Sequence, residues 1–347
     1  MISSDNITWT GTFTPTAGKE EPNNTLSLAT SYTDLAGNAG PSETTANYAI
    51  DTLVSTISSV TAGWGTFLNA TEDNSAGTVT VVTSGAENDQ TVTVTLNGTN
   101  YTGTVSDNST SVTFAPGILY DLTDGDNYTL TTNVSDAAGN AATVNTGTSF
   151  TYDRTPPSIS GSVAITGAGI QNNFLNVPDV VSATVTFSEV VNKTGTPQLT
   201  LAVGSDNRTG TYASGTGNAP LVFTYTIQAG DNDIDGISIR ANALALNSGM
   251  IRDAAGNNAT LTHNAVSGNA SYKVDTTAPT ANYPVATDDE GTVRGALTSG
   301  DTTDDTALVL SGTNESGSSV KVYNSTTELD NATVSGTSWS YSATLSN

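Results

Sequence analysis

The sequence contains no cysteine and a single histidine, His263, among its 347 residues. Without cysteine the chain can form neither a disulfide framework nor a thiolate metal site. Histidine-based catalysis or a histidine-rich metal site would need partners that the sequence does not supply. It also has no Gly-x-Ser-x-Gly segment and no phosphate-cradling glycine loop. We therefore expect a protein that is not an enzyme.

Positive charge is scarce as well. The chain has nine Lys and Arg against 33 Asp and Glu, a net charge of −24, although charged residues make up only 12% of it. Its polar surface must therefore come from Thr, Ser, Asn and Gly rather than from ion pairs. Nucleic acids and anionic membranes both carry phosphate charge, so we expect neither as a partner. The acidic balance suits cation binding, or life in salty water that screens self-repulsion.

Long apolar runs are also missing. No segment approaches 18 consecutive apolar residues, so we expect no membrane insertion. The first residues, 1–6, have neither the basic region nor the apolar region of a signal peptide. We interpret Met1 as the edge of a fragment, and we expect that fragment to be monomeric.

What the sequence does contain is an internal repeat. The pattern Asp-x-Ala-Gly-Asn occurs at residues 34–38, 136–140 and 253–257. After each copy, an aromatic residue stands three positions before a second aspartate, in a segment that alternates like a strand. These second aspartates follow the first after 17, 17 and 22 residues and are Asp51, Asp153 and Asp275.

The repeat predicts module boundaries. Residues 52–153 and 154–275 are predicted to be complete modules, residues 1–51 the C-terminal half of another, and residues 276–347 the N-terminal part of a fourth. Prolines after Asp153 and Asp275 stop the strand and stiffen a short linker. Thr8-Trp9-Thr10 is similar to Ser338-Trp339-Ser340, so the chain ends near the point in a module at which it began.

Strands are predicted throughout, and no helix. Apolar residues alternate with Thr and Ser at 92–96, 128–134, 181–187 and 221–227. Such alternation is typical of sheets with one buried and one solvated face. Asn97-Gly98, Asp124-Gly125 and Asp235-Gly236 mark tight turns. Modules of this size and pattern predict an all-β fold of tandem immunoglobulin-like β-sandwich modules in an extended array.

The aspartates of the repeat predict a metal site at each junction. In such a sandwich the turn between the last two strands lies at the entry pole, and the last strand ends at the opposite pole. Stacking modules end to end then brings Asp51 to Asp136 and Asn140, and Asp153 to Asp253 and Asn257. The same pattern assigns Asp34, Asn38 and Asp275 to the outer junctions.

Calcium is the predicted ion. Two carboxylates about 5 Å apart repel by roughly 3 kcal/mol at an effective dielectric constant of 20. Because Ca²⁺ binds oxygen ligands, it would turn this repulsion into a clamp. The alternative is that Asp-x-Ala-Gly-Asn is merely a good turn, in which glycine supplies a positive φ and the Asp and Asn cap the loop.

Two further acidic segments are weaker candidates. Asp231-Asn-Asp233-Ile-Asp235-Gly236 has the beginning of a calcium loop, but Asn242 occupies the position of its final Glu and no helices flank it. A plain β-turn is the favoured interpretation there. In the last segment, Asp288-Asp289-Glu290 and Asp304-Asp305 suit either Ca²⁺ binding or simple solvation, and the sequence leaves both open.

These motifs resemble the bacterial immunoglobulin-like repeats of giant biofilm-associated (RTX) surface adhesins exported by type I secretion. The residues that carry the resemblance are Val-Thr-Phe-Ser-Glu (185–189), Gly-Thr-Pro-Gln-Leu-Thr-Leu (195–201), Arg-Asp-Ala-Ala-Gly-Asn (252–257) and Tyr-Lys-Val-Asp-Thr-Thr-Ala-Pro (272–279). The resemblance implies an extracellular stalk on a bacterial cell surface, with Ca²⁺ at the module junctions, supporting cell adhesion and biofilm formation.

The expected partners are the neighbouring modules of the same chain, together with an external glycan or protein receptor for the larger protein. Two alternatives stay open. One repeat, above all residues 154–275 with their longer loops, could itself bind a glycan or protein. The modules could also be accessory β-modules of a secreted polysaccharide-degrading enzyme.

Overall fold

The computed structural model describes residues 8–280, 282, 284–292 and 294–344. Within these residues the regular structure is β-strand, apart from one 3₁₀ turn at Ala270–Tyr272. The alternating sequence explains this, because β-branched side chains on a pleated backbone suit strands that bury one face. The predicted all-β fold is confirmed. No helix in the described part of the chain has the length and apolar character needed to cross a membrane.

Residues 8–51 form two small antiparallel pairs. Their strands are β1 (Glu20–Asn24), β2 (Ser27–Leu28), β3 (Glu43–Thr44) and β4 (Tyr48–Asp51). Strand β1 pairs with β4, and β2 pairs with β3. The first Asp-x-Ala-Gly-Asn turn lies between β2 and β3. None of the described residues of this unit is fully buried.

Strands between residues 56 and 152 form a two-sheet sandwich. Its strands are β5 (Thr56–Ala62), β6 (Phe67–Leu68), β7 (Gly77–Ser84), β8 (Thr91–Leu96), β9 (Thr99–Thr104), β10 (Ser109–Phe114), β11 (Asn127–Val134) and β12 (Asn145–Tyr152). One sheet has the order β10-β7-β5 and the other β6-β12-β11-β8-β9. Asn97 and Gly98, with φ of 49° and 76°, join β8 to β9 in the predicted tight turn.

The core of this sandwich lies between its two sheets. Buried residues alternate with exposed or half-buried ones along β7 and β8. Trp64 meets Phe114 and Phe150 edge to face, with ring centroids 5.9 and 5.2 Å apart. Aromatic pairs in this geometry stabilise a core beyond the area that they bury. The core draws on residues 62–152, which lie inside the predicted module 52–153.

Strands between residues 164 and 275 form a second sandwich. Its strands are β13 (Ala164–Ala168), β14 (Phe174–Leu175), β15 (Val180–Thr194), β16 (Gln198–Val203), β17 (Asp206–Ser214), β18 (Asn218–Thr226), β19 (Asn232–Asp233), β20 (Leu244–Ala245), β21 (Met250–Arg252) and β22 (Lys273–Asp275). The larger sheet has the order β13-β15-β18-β17-β16-β20, with β21 also on β15, and the smaller has β14-β22-β19. A separate core draws on residues 163–274.

Residues 285–344 carry a third unit. Its strands are β23 (Val285–Asp288), β24 (Gly295–Leu297), β25 (Ala307–Thr313), β26 (Lys321–Asn324), β27 (Thr327–Asn331), β28 (Thr333–Ser335) and β29 (Ser338–Thr344). A five-stranded sheet has the order β24-β23-β25-β29-β28, whereas β26 and β27 form a pair by themselves. Trp339 on β29 is buried beside Gly312 on β25.

Candidate metal centre

The Asp-x-Ala-Gly-Asn segments are tight turns organised by their own aspartate. In the third copy, Asp253 Oδ1 accepts hydrogen bonds from the backbone N–H groups of Gly256 (2.7 Å) and Asn257 (2.8 Å). Gly256 has φ of 97°, a conformation that side chains with a Cβ rarely adopt. The second copy repeats this arrangement with Asp136 and Asn140 at 2.8 Å. The first copy does so with Asp34 and Asn38 at 2.9 Å.

The asparagine of the turn reaches across the junction to the preceding module. Asn257 Nδ2 donates to the backbone oxygen of Asp153 (2.8 Å) and to Asp253 Oδ2 (2.9 Å). Asn140 Nδ2 likewise donates to the backbone oxygen of Asp51 (3.2 Å) and to Asp136 Oδ2 (3.0 Å). The backbone oxygen of each of these two linker aspartates therefore lies against the hairpin turn of the next module.

A second contact at the junction after residue 153 comes from the loop that follows β6. Asn69 Nδ2 donates to the backbone oxygen of Ala255 (2.9 Å), and the backbone N–H of Ala70 donates to Asn257 Oδ1 (3.1 Å). Both ends of the Asn257 amide are thus used in direct hydrogen bonds. Asn257, predicted as a metal ligand, here links the two modules directly.

Three carboxylates come together at this junction. The ligand atoms of Asp153, Glu189 and Asp253 all lie within 4.8 Å of one another, the one such group of three in the described part of the chain. Asp253 is 5% exposed, and the other two are half-buried. The sequence predicted Asp153 and Asp253 as metal ligands but did not predict Glu189. The signal that could have identified Glu189 is an acidic residue inside the apolar alternation of β15.

Electrostatics shows that the cluster is under repulsion. Burial, and then the charge of Asp253, raise the pKa of Asp153 above its ordinary range. Burial, and then the charges of Asp153 and Asp253, raise the pKa of Glu189 as well. A group of partly buried carboxylate oxygens without a cationic side chain among them matches the donor set that hard cations such as Ca²⁺ prefer.

The junction after residue 51 is built differently. Glu87, which follows β7, accepts a hydrogen bond from the backbone N–H of Ala137 (2.9 Å). Asp51 Oδ1 accepts from the N–H of Leu53 (3.0 Å), and Asp136 is 3% exposed. Asp136 belongs to this turn and Glu87 is bonded to it, but the described residues do not gather the carboxylates of Asp51, Glu87 and Asp136 into a group within 4.8 Å.

The segment 231–236 is held by protein contacts. Both carboxylate oxygens of Asp231 accept hydrogen bonds from the protein. Oδ1 accepts from Arg208 Nε (2.6 Å), and Oδ2 accepts from the Tyr225 hydroxyl (2.7 Å) and the N–H of Gln228 (2.9 Å). Asp233 Oδ1 accepts from the N–H of Gly236 (2.7 Å), while Asp235 is exposed. The three carboxylates do not form a group within 4.8 Å, and the geometry is that of the turn favoured from the sequence.

The remaining predicted ligands are spread over residues 275–305. Asp275 Oδ1 accepts from the N–H of Thr277 (2.9 Å). Asp288 is 2% exposed, and its Oδ2 accepts from the Thr303 hydroxyl (2.8 Å). Asp289 is exposed, and its N–H donates to Asp305 Oδ2 (3.4 Å). Asp288, Asp289 and Asp305 therefore lie in neighbouring loops, without a described group of three ligand atoms.

His263 has a purely local setting. It is 8% exposed, its Nε2 accepts from the backbone N–H of Ala243 (2.8 Å), and its Nδ1 lies 2.8 Å from the carbonyl oxygen of Asn264. These partners require the neutral ring with its proton on Nδ1. The ring fastens one loop to the next.

Comparison with known proteins supports the resemblance at the N-terminal end. Residues 1–50 match the family of bacterial Ig-like domains. No curated protein matches.

The chain is also similar to solved structures of adhesion proteins. One concerns host cell surface retention of a 1.5-MDa bacterial ice-binding adhesin, with 17% identity, 80% of this chain and 83% of that chain covered, and a TM-score of 0.42. A second is a Ca²⁺-stabilized adhesin of an Antarctic bacterium. The match has 23% identity and a TM-score of 0.39, and it covers 90% of this chain and 71% of that chain. A third is a tetra-tandem repeat from the extending region of a large adhesion protein. The match has 19% identity and a TM-score of 0.24, and it covers 92% of this chain and 73% of that chain.

Proposed function

We propose that this chain is a stalk segment of a bacterial cell-surface adhesin, and that Ca²⁺ bound between its modules makes the stalk rigid. The stalk would hold an adhesive region away from the cell and so support adhesion and biofilm formation. Three features support this role: tandem immunoglobulin-like modules, a surface poor in cations, and polar junctions in which the end of one module meets the hairpin turn of the next.

The observation that carries the proposal is the group of Asp153, Glu189 and Asp253. Asp153 directly follows the last strand of one module, whereas Glu189 and Asp253 belong to the next. Ionised and unneutralised, such a group pushes the two modules apart by a few kcal/mol, on the order of 332/(εr) per pair. The hydrogen bonds that cross this junction contribute only about 1 kcal/mol each, so they and the repulsion are of similar size, and a bound cation would shift the balance towards a closed junction.

The protein residues would prepare the site in three ways. Asp253 is fixed by its own turn, so its free lone pairs have a defined direction. Asn257 holds the backbone of Asp153 at the turn. Strand β15 presents Glu189 from the side. Ca²⁺, when bound, would supply the positive charge that lets all three carboxylates stay ionised and close.

The proposed role requires an extracellular location. Because the chain has no cysteine, disulfides cannot stiffen it there, and the proposed cations would do so instead. In a bacterium that produces the protein, an antibody against residues 52–275 should label intact, unpermeabilised cells. Labelling only after lysis would contradict this location.

The main test combines scattering and calorimetry. Small-angle X-ray scattering of the full chain should show a longer, stiffer particle in millimolar Ca²⁺ than in EGTA. Titration calorimetry should detect Ca²⁺ binding that Asp253→Asn weakens at least tenfold. Asp107→Asn is the matched control, because Asp107 lies in an exposed turn with a positive φ that Asn also accepts. Identical scattering curves with no heat of binding would refute the metal clamp.

A further inference from the structure

A positively charged side chain follows directly after the junction carboxylates' first member and is turned away from them. The three junction carboxylates are Asp153, Glu189 and Asp253. Arg154 is the next residue after Asp153, but its side chain lies on the preceding module. There the guanidinium carbon is 4.1 Å from the centroid of the Tyr120 ring, and Nε is 3.7 Å from Asp73 Oδ2. The junction group therefore has a counterion beside it in the chain that it does not use.

Asp73 explains why the guanidinium stays on the preceding module. This aspartate lies in the loop after β6 and is 0% exposed. Its Oδ2 accepts a hydrogen bond from the Tyr152 hydroxyl (2.8 Å), and its Oδ1 accepts one from Asn74 Nδ2 (2.7 Å). Both of these donors are uncharged, and a buried carboxylate without a positive charge near it is costly. Arg154 supplies that charge, so Asp73 would lose its only charged partner if the guanidinium moved away.

Tyr120 and Asp124 hold the same residue at the surface of the module. The face of the Tyr120 ring attracts the guanidinium that lies over it. The backbone N–H of Arg154 donates to Asp124 Oδ1 (2.8 Å), and the hydroxyl of Thr155 donates to Asp124 Oδ2. Arg154 is thus fastened to the preceding module through its backbone and through its side chain.

A guanidinium at the junction and a divalent cation there would exclude one another. Arginine binds carboxylates well, often through two parallel hydrogen bonds. If Arg154 turned toward Asp153, its charge would neutralise part of the junction group and repel an incoming cation. Holding Arg154 on the preceding module leaves the junction oxygens free for a cation from solution.

We propose that Asp73 is a positioning residue for the junction site, because its hold on Arg154 keeps the three junction carboxylates free for a divalent cation. This inference rests on the proposed function, in which these carboxylates bind Ca²⁺. It adds that the affinity of the site is set in part by a buried residue that is not itself a ligand, and that Tyr120 assists from the surface.

Calcium titration calorimetry of the full chain tests the role of Asp73. Asp73→Asn keeps the shape of the side chain but removes the charge that holds Arg154. The guanidinium should then turn to the junction and lower the Ca²⁺ affinity by about tenfold or more, the effect of one positive charge close to the site. The double variant Asp73→Asn/Arg154→Gln has no guanidinium to release and should recover the affinity of the unaltered protein. A merely structural loss at Asp73 would not be rescued by removing Arg154.

Asp121→Asn is the matched control, because this exposed aspartate next to Tyr120 loses the same charge but does not hold Arg154. It should bind Ca²⁺ like the unaltered protein. Tyr120→Leu serves if Asp73→Asn fails to fold, since Tyr120 is 44% exposed and lies outside the buried core. It should also weaken Ca²⁺ binding, and adding Arg154→Gln should restore the binding.

Nuclear magnetic resonance supplies a readout that needs no metal. In EGTA, the signal of the Arg154 Nε–H, assigned by its loss in Arg154→Gln, should shift in Asp73→Asn and stay in place in Asp121→Asn. An unchanged signal in Asp73→Asn would overturn the proposal. Ca²⁺ binding that Asp73→Asn or Tyr120→Leu leaves unchanged would overturn this proposal alone, whereas an unaltered protein that binds no Ca²⁺ would overturn the proposed function with it.

Discussion

The side-chain amide of Asn257 donates a 2.8 Å hydrogen bond to the backbone carbonyl oxygen of Asp153, which lies 104 residues earlier in the chain. The contact ties the last residue of one sandwich to the hairpin turn of the next. Asn140 makes the equivalent bond to the backbone oxygen of Asp51 at 3.2 Å. The asparagine of the repeat thus serves both its own turn and the junction between modules.

Asn257→Ala should loosen this junction. The substitution removes the bonds to Asp153 and Asp253 and leaves the N–H of Ala70 without its acceptor. We expect a loss of about 1–3 kcal/mol in the free energy of unfolding, because these groups are partly buried. Urea unfolding measures the loss, and the distance distribution between spin labels in the two modules should broaden.

Asn258→Ala is the control, since Asn258 is exposed and its side chain accepts a hydrogen bond from Arg252 of the same module rather than from the preceding one. It should leave both the unfolding free energy and the label distances within error. Equal effects of the two substitutions would show that the junction does not depend on Asn257.

Glu189→Gln should change the stability of the protein in opposite directions with and without Ca²⁺. In EGTA the substitution relieves repulsion within the carboxylate group and should stabilise the junction by about 1 kcal/mol, or a few degrees in the thermal midpoint. In millimolar Ca²⁺ it removes a ligand and should destabilise the protein. Scanning calorimetry in the two buffers measures both signs, and Glu20→Gln at an exposed position should change neither.

The pH dependence of stability is a second test of repulsion among the same carboxylates. The folded-state pKa values of Asp153 and Glu189 are raised, so the folded protein binds these protons more tightly than the unfolded chain. Without metal, stability should therefore fall as pH rises from the ordinary values of 3.8 and 4.5 through the raised ones. The stabilisation by Glu189→Gln in EGTA should vanish below that window. A constant difference across it would contradict the repulsion.

Arg208→Gln should destabilise residues 154–275. Burial alone would raise the pKa of Asp231, but hydrogen bonds from Gln228, Tyr225 and Arg208 outweigh it and hold the pKa below its ordinary value. This contribution is present above pH 3.8 and is lost as pH falls through the lower folded value. Removing the guanidinium leaves a buried carboxylate underpaired, at a cost of about 2 kcal/mol, since the Arg208 side chain is partly exposed.

Urea unfolding at pH 7 measures that cost. Arg240→Gln, at an exposed position of the same module, is the matched control. Adding Asp231→Asn to Arg208→Gln should recover part of the loss, because the buried group is then neutral. No recovery would mean that Arg208 contributes by packing rather than by charge.

Gly236→Ala should destabilise the protein more than Gly139→Ala does. Both glycines have positive φ, 99° and 94°. A Cβ at Gly139 would meet open space, so only the backbone strain remains, about 1 kcal/mol. A Cβ at Gly236 would lie 1.9 Å from the backbone oxygen of Asn269, so the loop must move. We therefore expect Gly236→Ala to lower the free energy of unfolding by about 3 kcal/mol. Thermal unfolding ranks the two, and equal losses would contradict the close approach at Gly236.

Much of this architecture was predictable from local pattern. Alternation at 92–96 and 181–187 fixed strands and their buried faces, because a side-chain period of two admits one arrangement on a half-buried sheet. The repeat placed Asp153 opposite Asp253, since the two ends of a sandwich are set by its topology. The Asp231 segment, by contrast, has a calcium-like order of residues but is satisfied by Arg208, which the spacing of acidic residues could not reveal.

The sequence by itself determined the strands, the turn glycines and the presence of aspartates at both poles of each module, because these depend on neighbours a few residues away. Only the tertiary structure decided which oxygens meet. Glu189 joins Asp153 and Asp253 because β15 passes the junction, and the Asn257 amide is used in direct hydrogen bonds because the loop at 69–70 reaches it. Such contacts join residues from 36 to 187 positions apart, and their distances follow from how the sheets pack rather than from any local pattern.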